Sequence, residues 1–420
     1  MNIPFKSKND AFIQKGVSMA WHRRQFLGLL GASFAFPVLG ARAEPEAWSQ
    51  ILEKARGQVV YFHAWGGEQR INDYIAWASG ECEKRFGVRI QQVKLADTAD
   101  AVSRIIAEAQ AGNRDQGSVD LIWINGANFA SLKEKGLLYG PFAEDLPNFQ
   151  YVDPVAKPVV VNDFTVPVEG YEVPWGLAQL VFFGDQAVVA DFPRNAQQWL
   201  QHAKDHPGRV TYVDPNNYLG ASFLKQILLE LTIDANVLSK PPVDFEKVTE
   251  PLWLYLDALH PVSWRQARVL PQTGAELRQL VADAQVDFGI AFDPAEASAS
   301  IAKKDLPESV RSFVFEKGMI GNAHFTAIPF NAAHREAAMV ATNFLLSPLA
   351  QAHKQDPKIW GSFTVLEMNR LKPEDKARFD AIDLGIATLS PEALGPALSE
   401  PHGDWMLRIV EEWTKRYRAG

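Results

Sequence analysis

The chain has 420 residues, of which 47% are hydrophobic and 22% are charged, and its formal net charge is −8. This composition excludes a disordered or collagen-like chain, and the acidic balance excludes a basic nucleic-acid-binding face. The length indicates two or three domains, and the single cysteine, Cys82, excludes both a disulfide framework and a multi-cysteine metal site.

The first 43 residues carry the pattern of an export signal. Arg23 and Arg24 precede an apolar stretch over 26–39, which ends in the small-x-small sequence Ala41-Arg42-Ala43. A membrane-spanning helix needs about 20 apolar residues, so this shorter stretch is typical of a cleaved signal and not of an anchor. The paired arginines favour the twin-arginine (Tat) route, with a Sec signal as the alternative. Cleavage after Ala43 predicts an acidic periplasmic protein with a formal net charge of −13.

Strand and helix patterns alternate in the next part of the chain, and turns that contain glycine separate them. Apolar runs predict strands at 59–62, 88–93 and 119–124. Apolar residues at helical spacing predict one helix over 99–111 and another that carries Ile71, Ile75, Ala78, Cys82 and Phe86. This alternation is typical of an α/β unit with a mainly parallel sheet.

A proline-rich passage over 141–176 interrupts this pattern, and an apolar strand is predicted after it at 179–183. The α/β rhythm then resumes. It predicts strands at 210–213, 287–292, 312–315 and 324–328, and helices at 196–204, 221–231, 245–259, 274–284, from about 295, at 333–346 and at 404–418.

Two α/β rhythms on either side of an extended passage predict two lobes with a ligand cleft between them. Ligands bind α/β units at the carboxyl ends of strands, where loops and helix N-termini converge. We divide the chain into a signal peptide (1–43), the first lobe (44–180), the second lobe (181–322), and a return to the first lobe with the C-terminal helices (323–420).

Several segments are similar to type II periplasmic solute-binding proteins. The sequence from Tyr171 to Phe183 resembles their hinge passage, and the sequence from Phe325 to Pro348 resembles their return strand and the helix after it. A closer resemblance is to the YnjB-type substrate-binding proteins of ABC transporters. It is carried by Phe62-His-Ala-Trp-Gly-Gly67, Asp120-Leu-Ile-Trp-Ile-Asn-Gly126, Phe288-Gly-Ile-Ala-Phe-Asp-Pro-Ala-Glu-Ala-Ser298 and Glu400-Pro-His402.

This resemblance covers nearly the whole chain after the signal. It implies the type II periplasmic-binding-protein fold, in which two α/β lobes are joined by a hinge with a ligand cleft between them. It also implies an extracytoplasmic, non-enzymatic component of an ABC importer, which delivers a small molecule to permease and ATPase subunits. No cofactor or metal and no nucleic-acid partner is expected, and the protein is expected to be a monomer.

Candidate ligand-binding residues lie mainly after the predicted strands and at the hinge. They are Trp65, Gly67, Glu68, Asn125, Asn128, Trp175, Asn217, Tyr218, Ser222, Asp293, Glu296 and Asn322. The sequence leaves a structural alternative open for most of them. Gly67 fits a tight turn, the asparagines and Ser222 fit helix caps, Trp175 fits packing, and Glu296 fits an acid at a helix N-terminus.

Aromatic rings together with Asp293 and Glu296 favour a cationic solute, either thiamine-like or polyamine-like, because each cation–π contact contributes about 0.5–2 kcal/mol. Sugars also stack on tryptophan, so the ligand class stays open. Two other functions are alternatives to import. One is a thiaminase-like enzyme with Cys82 as its nucleophile, and the other is a sensory protein that presents its ligand to a receptor. Cys82 lies on the apolar stripe of its helix, which favours a buried structural thiol.

Overall fold

The computed structural model describes residues 47–155, 157–395 and 397–418. The predicted export signal and its cleavage position lie outside these residues. In the described part, the strands are β1 Val59–Trp65, β2 Arg89–Leu95, β3 Leu121–Ile124, β4 Asn162–Asp163, β5 Val166–Pro167, β6 Glu172–Gln179, β7 Val181–Asp185, β8 Phe288–Ala291, β9 Val310–Phe313, β10 Met319–Ala327 and β11 Ala397–Leu398.

The helices surround these strands. In the described part they are α1 Trp48–Ala55, α2 Gln69–Phe86, α3 Thr98–Gln110, α4 Ala127–Glu134, α5 Ala196–Asp205, α6 Tyr218–Leu231, α7 Phe245–Leu259, α8 Gly274–Ala282, α9 Glu296–Ala302, α10 Arg335–Leu345, α11 Pro348–Gln355, α12 Pro373–Asp380, α13 Pro391–Leu394 and α14 Gly403–Tyr417. Short 3₁₀ helices occur in the connections, at Ala143–Asp145, Pro147–Tyr151, Pro158–Val160, Ala235–Ser239, His260–Val262, Trp264–Ala267 and Met368–Arg370.

The first sheet has the strand order β2-β1-β3-β10, with β6 and β11 also paired to β10. Strand β1 runs parallel to β2 and β3, as predicted. Strand β10 runs parallel to β11 but antiparallel to β3 and β6, so the complete sheet is mixed, whereas the strands from which a mainly parallel sheet was predicted do pair in parallel. The reason is topological, because β10 returns from the second sheet and enters from the opposite end.

The second sheet has β7 between β8 and β9, and both pairings are antiparallel. The predicted single strand at 179–183 is in fact the junction of two strands in different sheets. Strand β6 ends at Gln179 and β7 begins at Val181, while the Leu180 N–H donates to the Ile320 carbonyl at 2.8 Å. The chain therefore passes between the sheets at this point and returns along β10.

The predicted strand at 210–213 is not formed, although all four residues are buried. Its backbone bonds go singly to separate segments. The Trp264 N–H donates to the Val210 carbonyl at 2.8 Å, and the neighbouring Arg209 carbonyl accepts from the Asp287 N–H at 2.7 Å. The Val210 carbonyl is thus paired with the start of a 3₁₀ helix and not with a neighbouring strand.

Helix α2 illustrates how the core of the first sheet forms. Ile71, Ile75, Ala78 and Cys82 recur at helical spacing, and this face is buried against the sheet. The helix ends at Gly87, which has a φ of +70° and donates its N–H to the Glu83 carbonyl at 2.8 Å. Helices α3 and α4 cover the opposite face of the same sheet, around Ile122 and Ile124.

The second sheet has a core of its own, to which α5, α6, α7, α8 and α14 contribute. The C-terminal helix α14 packs there through Trp405, Ile409 and Trp413, and the Trp413 indole N–H donates to the Tyr212 hydroxyl at 2.9 Å. The predicted bounds of α7, 245–259, are confirmed. Two α/β units with separate cores are thus present, with the ends of β1, β3 and β8 available to form a site between them.

Candidate functional site

The segment that follows β1 begins with an exposed tryptophan next to a glycine. The side chain of Trp65 is 40% exposed, and a Cβ at Gly67 would lie 2.5 Å from the Trp65 ring. Gly67 therefore allows the indole to fold over the turn at the start of α2, where any larger residue would collide with it. The predicted tight turn and the exposed ring of Trp65 are therefore parts of the same local structure.

A guanidinium group joins this turn to the second α/β unit. The Arg70 side chain donates to Glu68 at 3.1 Å and to Glu296 at 3.0 Å, and it also reaches the Trp360 carbonyl at 3.4 Å. Arg278 binds the other carboxylate oxygen of Glu296. Glu68 and Glu296, which lie 228 positions apart in the sequence, are therefore held together by Arg70.

Asp293 lies beside this group of charges. Its side chain accepts the Ala295 N–H at 3.2 Å. Burial raises the pKa of Asp293 to about 7, although the positive charge of Arg70 opposes the shift and Glu296 adds to it. The carboxyl group is therefore poised to ionise when another positive charge approaches.

Aromatic rings pack beneath these groups. Trp175 is fully buried and lies edge-on to Trp123, with ring centroids 5.1 Å apart, and 5.4 Å from Trp360. His324 lies 5.1 Å from Trp123 and stacks on Trp360 at 5.9 Å. Trp175, which was predicted at the hinge, lies within β6, and its full burial favours the packing role, whereas Trp123 and His324 are only partly buried.

A lysine lies inside this aromatic layer. The Lys354 ammonium is 5.5 Å from the centroid of Trp175 and 5.7 Å from that of Trp360. It is fully buried and has no hydrogen-bond partner among the described residues. Burial lowers the pKa of Lys354 well below its ordinary value, and burial with the nearby Lys354 lowers the pKa of His324 to about 3.

A second polar group surrounds Glu400. This buried carboxylate accepts from the Tyr218 hydroxyl at 2.6 Å, from the Lys225 ammonium at 2.5 Å and from the Asn322 amide at 3.3 Å. The Asn322 amide also donates to the Tyr218 hydroxyl at 3.1 Å. The predicted residues Tyr218 and Asn322 are thus brought together, and Tyr218 keeps 40% of its surface exposed.

Asn125 connects this group to the end of β3. Its side-chain amide donates to the Ala323 carbonyl at 2.7 Å and to Asp163 at 3.3 Å, so it does not cap α4. Asp163 also accepts the Gly126 N–H, and burial raises its pKa to about 7. Beside Glu400 lies a cavity of about 270 Å³, with Asn162, Phe164, Ser239 and Asn322 also in its wall.

Three predicted residues remain. Asn217 is the N-cap of α6, because its side chain accepts the Leu219 N–H at 2.9 Å. Ser222, proposed from the sequence as a cap of this helix, lies fully buried inside it. Asn128 is half-buried in the first turn of α4 and makes no side-chain hydrogen bond within the described part of the chain.

Sequence reasoning missed the basic and acidic partners that organise the site. Glu400 lies in the Glu400-Pro-His402 segment, whose resemblance to relatives was the available signal. Arg70 lies two positions after a predicted residue, but nothing in the sequence links it to Glu296. Lys225, Lys354 and Trp360 carry no local signal, because their roles depend on residues far along the chain.

Known proteins that are similar to this chain show its family. Residues 77–366 match the family model of the bacterial extracellular solute-binding proteins. The chain is 44% identical over 372 residues to Protein YnjB of Escherichia coli strain K12, a match that covers 88% of this chain and 94% of that protein. The chain belongs to the bacterial extracellular solute-binding proteins. The predicted resemblance to YnjB-type proteins is confirmed.

Solved structures confirm the fold of this solute-binding protein. A putative spermidine/putrescine ABC transporter from Listeria monocytogenes has a TM-score of 0.57 at 17% identity, covering 86% of this chain and 99% of that one. The Tp0655 (TpPotD) lipoprotein of Treponema pallidum has a TM-score of 0.60 at 16% identity, covering 85% and 98%. The predicted two-lobed periplasmic-binding fold and the solute-binding role are confirmed, and the family's role is extracytoplasmic.

The family and fold are those of transport binding proteins, and the surroundings of Cys82 agree with a structural thiol. Cys82 is fully buried on α2, and burial raises the pKa of its thiol to about 12. A cysteine nucleophile acts as the thiolate, which this environment disfavours. In the described residues, no helix combines the length and apolarity that a membrane crossing requires.

Proposed function

We propose that this protein is the solute-binding component of an ABC importer in the periplasm, exported by a Tat-type signal that is cleaved after Ala43. One lobe, built on the sheet that contains β1, β2 and β3, and a second lobe, built on the sheet of β7, β8 and β9 together with α14, close over one small molecule. The closed form then docks on a permease, and separate ATPase subunits supply the energy. Family membership and the 44% identity to YnjB support this role.

The observation that carries this function is the contact between the two α/β units at the start of α2 and the start of α9. Arg70 and Glu296 meet there at 3.0 Å, and each lies five positions after the end of a strand, β1 and β8 respectively. The carboxyl ends of strands from both units therefore converge on one place. A solute bound there contacts both lobes, so it stabilises the closed arrangement more than the open one.

We further propose that the solute is cationic and that Asp293 receives its positive charge. Trp65 on one lobe and Tyr218 on the other are the aromatic residues of the site with the most exposed surface. The ring centroid of Tyr218 lies 5.3 Å from that of Phe292, the residue next to Asp293. An exposed ring on each lobe and a carboxyl group with a raised pKa together suit an organic cation.

Binding measurements with a defined panel test this assignment. Thiamine, choline, putrescine, spermidine, glucose and maltose are compared by thermal shift and by isothermal titration calorimetry. A cation at 100 times its Kd is expected to stabilise the protein by about 2.7 kcal/mol and to be recovered chemically unchanged. Asp293→Asn is expected to weaken its binding at least tenfold, because the balancing charge is lost.

The control variant Asp283→Asn changes an exposed carboxylate at the end of α8 and is expected to bind like the wild type. Binding of glucose or maltose in preference to every cation contradicts the cationic class. Release of a chemically altered solute contradicts the transport role and favours the enzyme alternative. Normal binding with no import in a strain that carries the neighbouring permease favours a sensory role.

A further inference from the structure

Among the charged groups around Arg70, the carboxyl groups outnumber the guanidinium groups by one. Glu68, Asp293 and Glu296 supply three carboxyl groups, and Arg70 and Arg278 supply two guanidinium groups. Glu68 is bound by Arg70, and Glu296 is bound by both arginines. Asp293 has no ion pair with a basic side chain within 4.0 Å in the described part of the chain.

Arg70 is well placed to neutralise these acids. Its side chain is 16% exposed and that of Glu296 is 12% exposed, so their interaction is weakly screened by solvent. Burial disfavours the guanidinium charge, but Asp293, Glu296 and Glu68 outweigh burial and raise the pKa of Arg70. The internal cation therefore remains charged and occupies the position that a second positive charge of a solute would need.

The other acidic group near the cleft is also occupied. Glu400 is bound by the Lys225 ammonium, the Tyr218 hydroxyl and the Asn322 amide. Asp163 has no ion pair with a basic side chain in the described part of the chain, but it accepts the Gly126 N–H and the Asn125 amide and is fully buried, so a solute does not reach it. A solute with several positive charges would therefore meet one carboxyl group, that of Asp293, which is neither ion-paired nor fully buried among the described residues.

We infer that Arg70 sets the charge of the solute, so that the cleft accepts an organic cation with one positive charge and discriminates against a polyamine. This inference rests on the proposed cationic ligand and selects between its two forms. Arg70 acts here as a specificity-determining residue through Glu68, Glu296 and Asp293. A monocation balances Asp293, whereas each additional charge remains unpaired in a partly buried site, which is costly.

A matched pair of amines measures this discrimination. The n-butylammonium and 1,4-butanediammonium (putrescine) ions have the same carbon chain and differ by one charge. Isothermal titration calorimetry at pH 7.5 gives the ratio of their affinities. In the wild type we expect at least fivefold tighter binding of n-butylammonium. In Arg70→Gln we expect the affinity for putrescine, relative to that for n-butylammonium, to rise at least tenfold, because an additional carboxylate is freed.

Two further variants separate charge from folding and closure. Arg70→Lys keeps the positive charge and is expected to keep the wild-type ratio. Arg278→Gln removes the same charge from the other side of Glu296, and we expect its ratio to shift in the direction of Arg70→Gln. A loss of lobe closure weakens both amines together, so it does not change the ratio. Arg194→Gln, which breaks an exposed pair with Glu316, is the neutral control.

The outcomes distinguish this inference from the proposed function. If the wild type binds cations and the ratio is the same in Arg70→Gln and Arg278→Gln, Arg70 does not set the charge, while the cationic ligand class stands. If the wild type prefers putrescine, the inference is overturned directly. If the wild type binds sugars and neither amine, the cationic ligand class fails and this inference fails with it.

Discussion

Lys354 is a basic residue that is buried among aromatic rings. Its side chain is fully buried between Trp175 and Trp360, and within the described residues it has no hydrogen-bond acceptor. Cation–π contacts recover part of the lost hydration, but they do not replace a carboxylate. Such a group destabilises the folded protein whenever it is charged, so its presence here is a cost that the rest of the fold offsets.

Replacing Lys354 by methionine is therefore expected to stabilise the protein by about 1–2 kcal/mol at pH 7, since an apolar chain of similar length removes the desolvation penalty. The pKa of Lys354 is lowered in the folded state, so the unfolded state binds more protons between that pKa and about 10.4. The free energy of unfolding of the wild type should accordingly rise with pH relative to Lys354→Met. Urea denaturation at pH 7 and pH 9 measures the difference.

A control at a surface lysine, Lys303→Met, should show neither the stabilisation nor the pH dependence, because Lys303 is exposed. If Lys354→Met is less stable than the wild type by more than about 1 kcal/mol, the ammonium contributes favourably to the fold. The assignment of Lys354 as an unpaired buried charge would then be wrong.

At the scale of single elements, the start of α6 combines a structural role with a candidate ligand contact. Asn217 accepts the Leu219 N–H at 2.9 Å and donates to the Gln272 carbonyl at 3.2 Å. An asparagine cap satisfies a backbone N–H that the helix itself leaves free. The hydroxyl of the next residue, Tyr218, donates to the buried carboxylate of Glu400, while Tyr218 itself is partly exposed.

Asn217→Ala is expected to lower the free energy of unfolding by about 1 kcal/mol, because the cap is lost. Asn217→Ser restores an oxygen acceptor and is expected to recover most of this loss. Neither variant should change solute affinity more than about twofold if Asn217 acts only as a cap. Chemical denaturation and calorimetry on the same samples measure both quantities, and a selective loss of affinity in both variants would place Asn217 in the binding site.

Helices and strands with a strong local pattern of apolar residues were predictable from the sequence. Strands that depend on pairing with a distant segment were not. Helix α7 has its apolar residues at regular spacing, and its bounds were predicted correctly. The apolar run at 210–213 has the composition of a strand, but a strand also requires a neighbouring strand, and the Val210 carbonyl bonds instead to Trp264 at the start of a 3₁₀ helix. The run at 179–183 was assigned to one strand because its composition does not show that the chain changes sheets at Leu180.

The same limit applies to the candidate site. Glu68 and Glu296 were identified because each follows a strand-ending turn, and that signal is local. Their common partner Arg70 was not identified, since Arg70 and Glu296 are 226 positions apart. Glu400 and Lys225, 175 positions apart, were missed for the same reason. Which charged residues pair depends on their distance in the folded protein, and the local spacing of residues in the sequence carries no information about that distance.

At the scale of the whole molecule, a partly buried ion pair connects the two lobes. The Arg70–Glu296 pair joins the start of α2 on the first lobe to the start of α9 on the second. It is partly buried, so its contribution exceeds that of a surface pair such as Arg194–Glu316, which lies in solvent. We therefore expect the pair to favour the proposed closed arrangement independently of any solute.

Glu296→Gln should shift the ligand-free protein towards the open form, because the neutral amide loses the charge attraction to Arg70. With about 1 kcal/mol removed from the closed state, the ratio of closed to open molecules falls about fivefold, and small-angle X-ray scattering should show a larger radius of gyration. Glu316→Gln removes the exposed pair within the second lobe and should leave that radius unchanged. Equal radii for Glu296→Gln and the wild type would mean that Arg70 and Glu296 do not control closure.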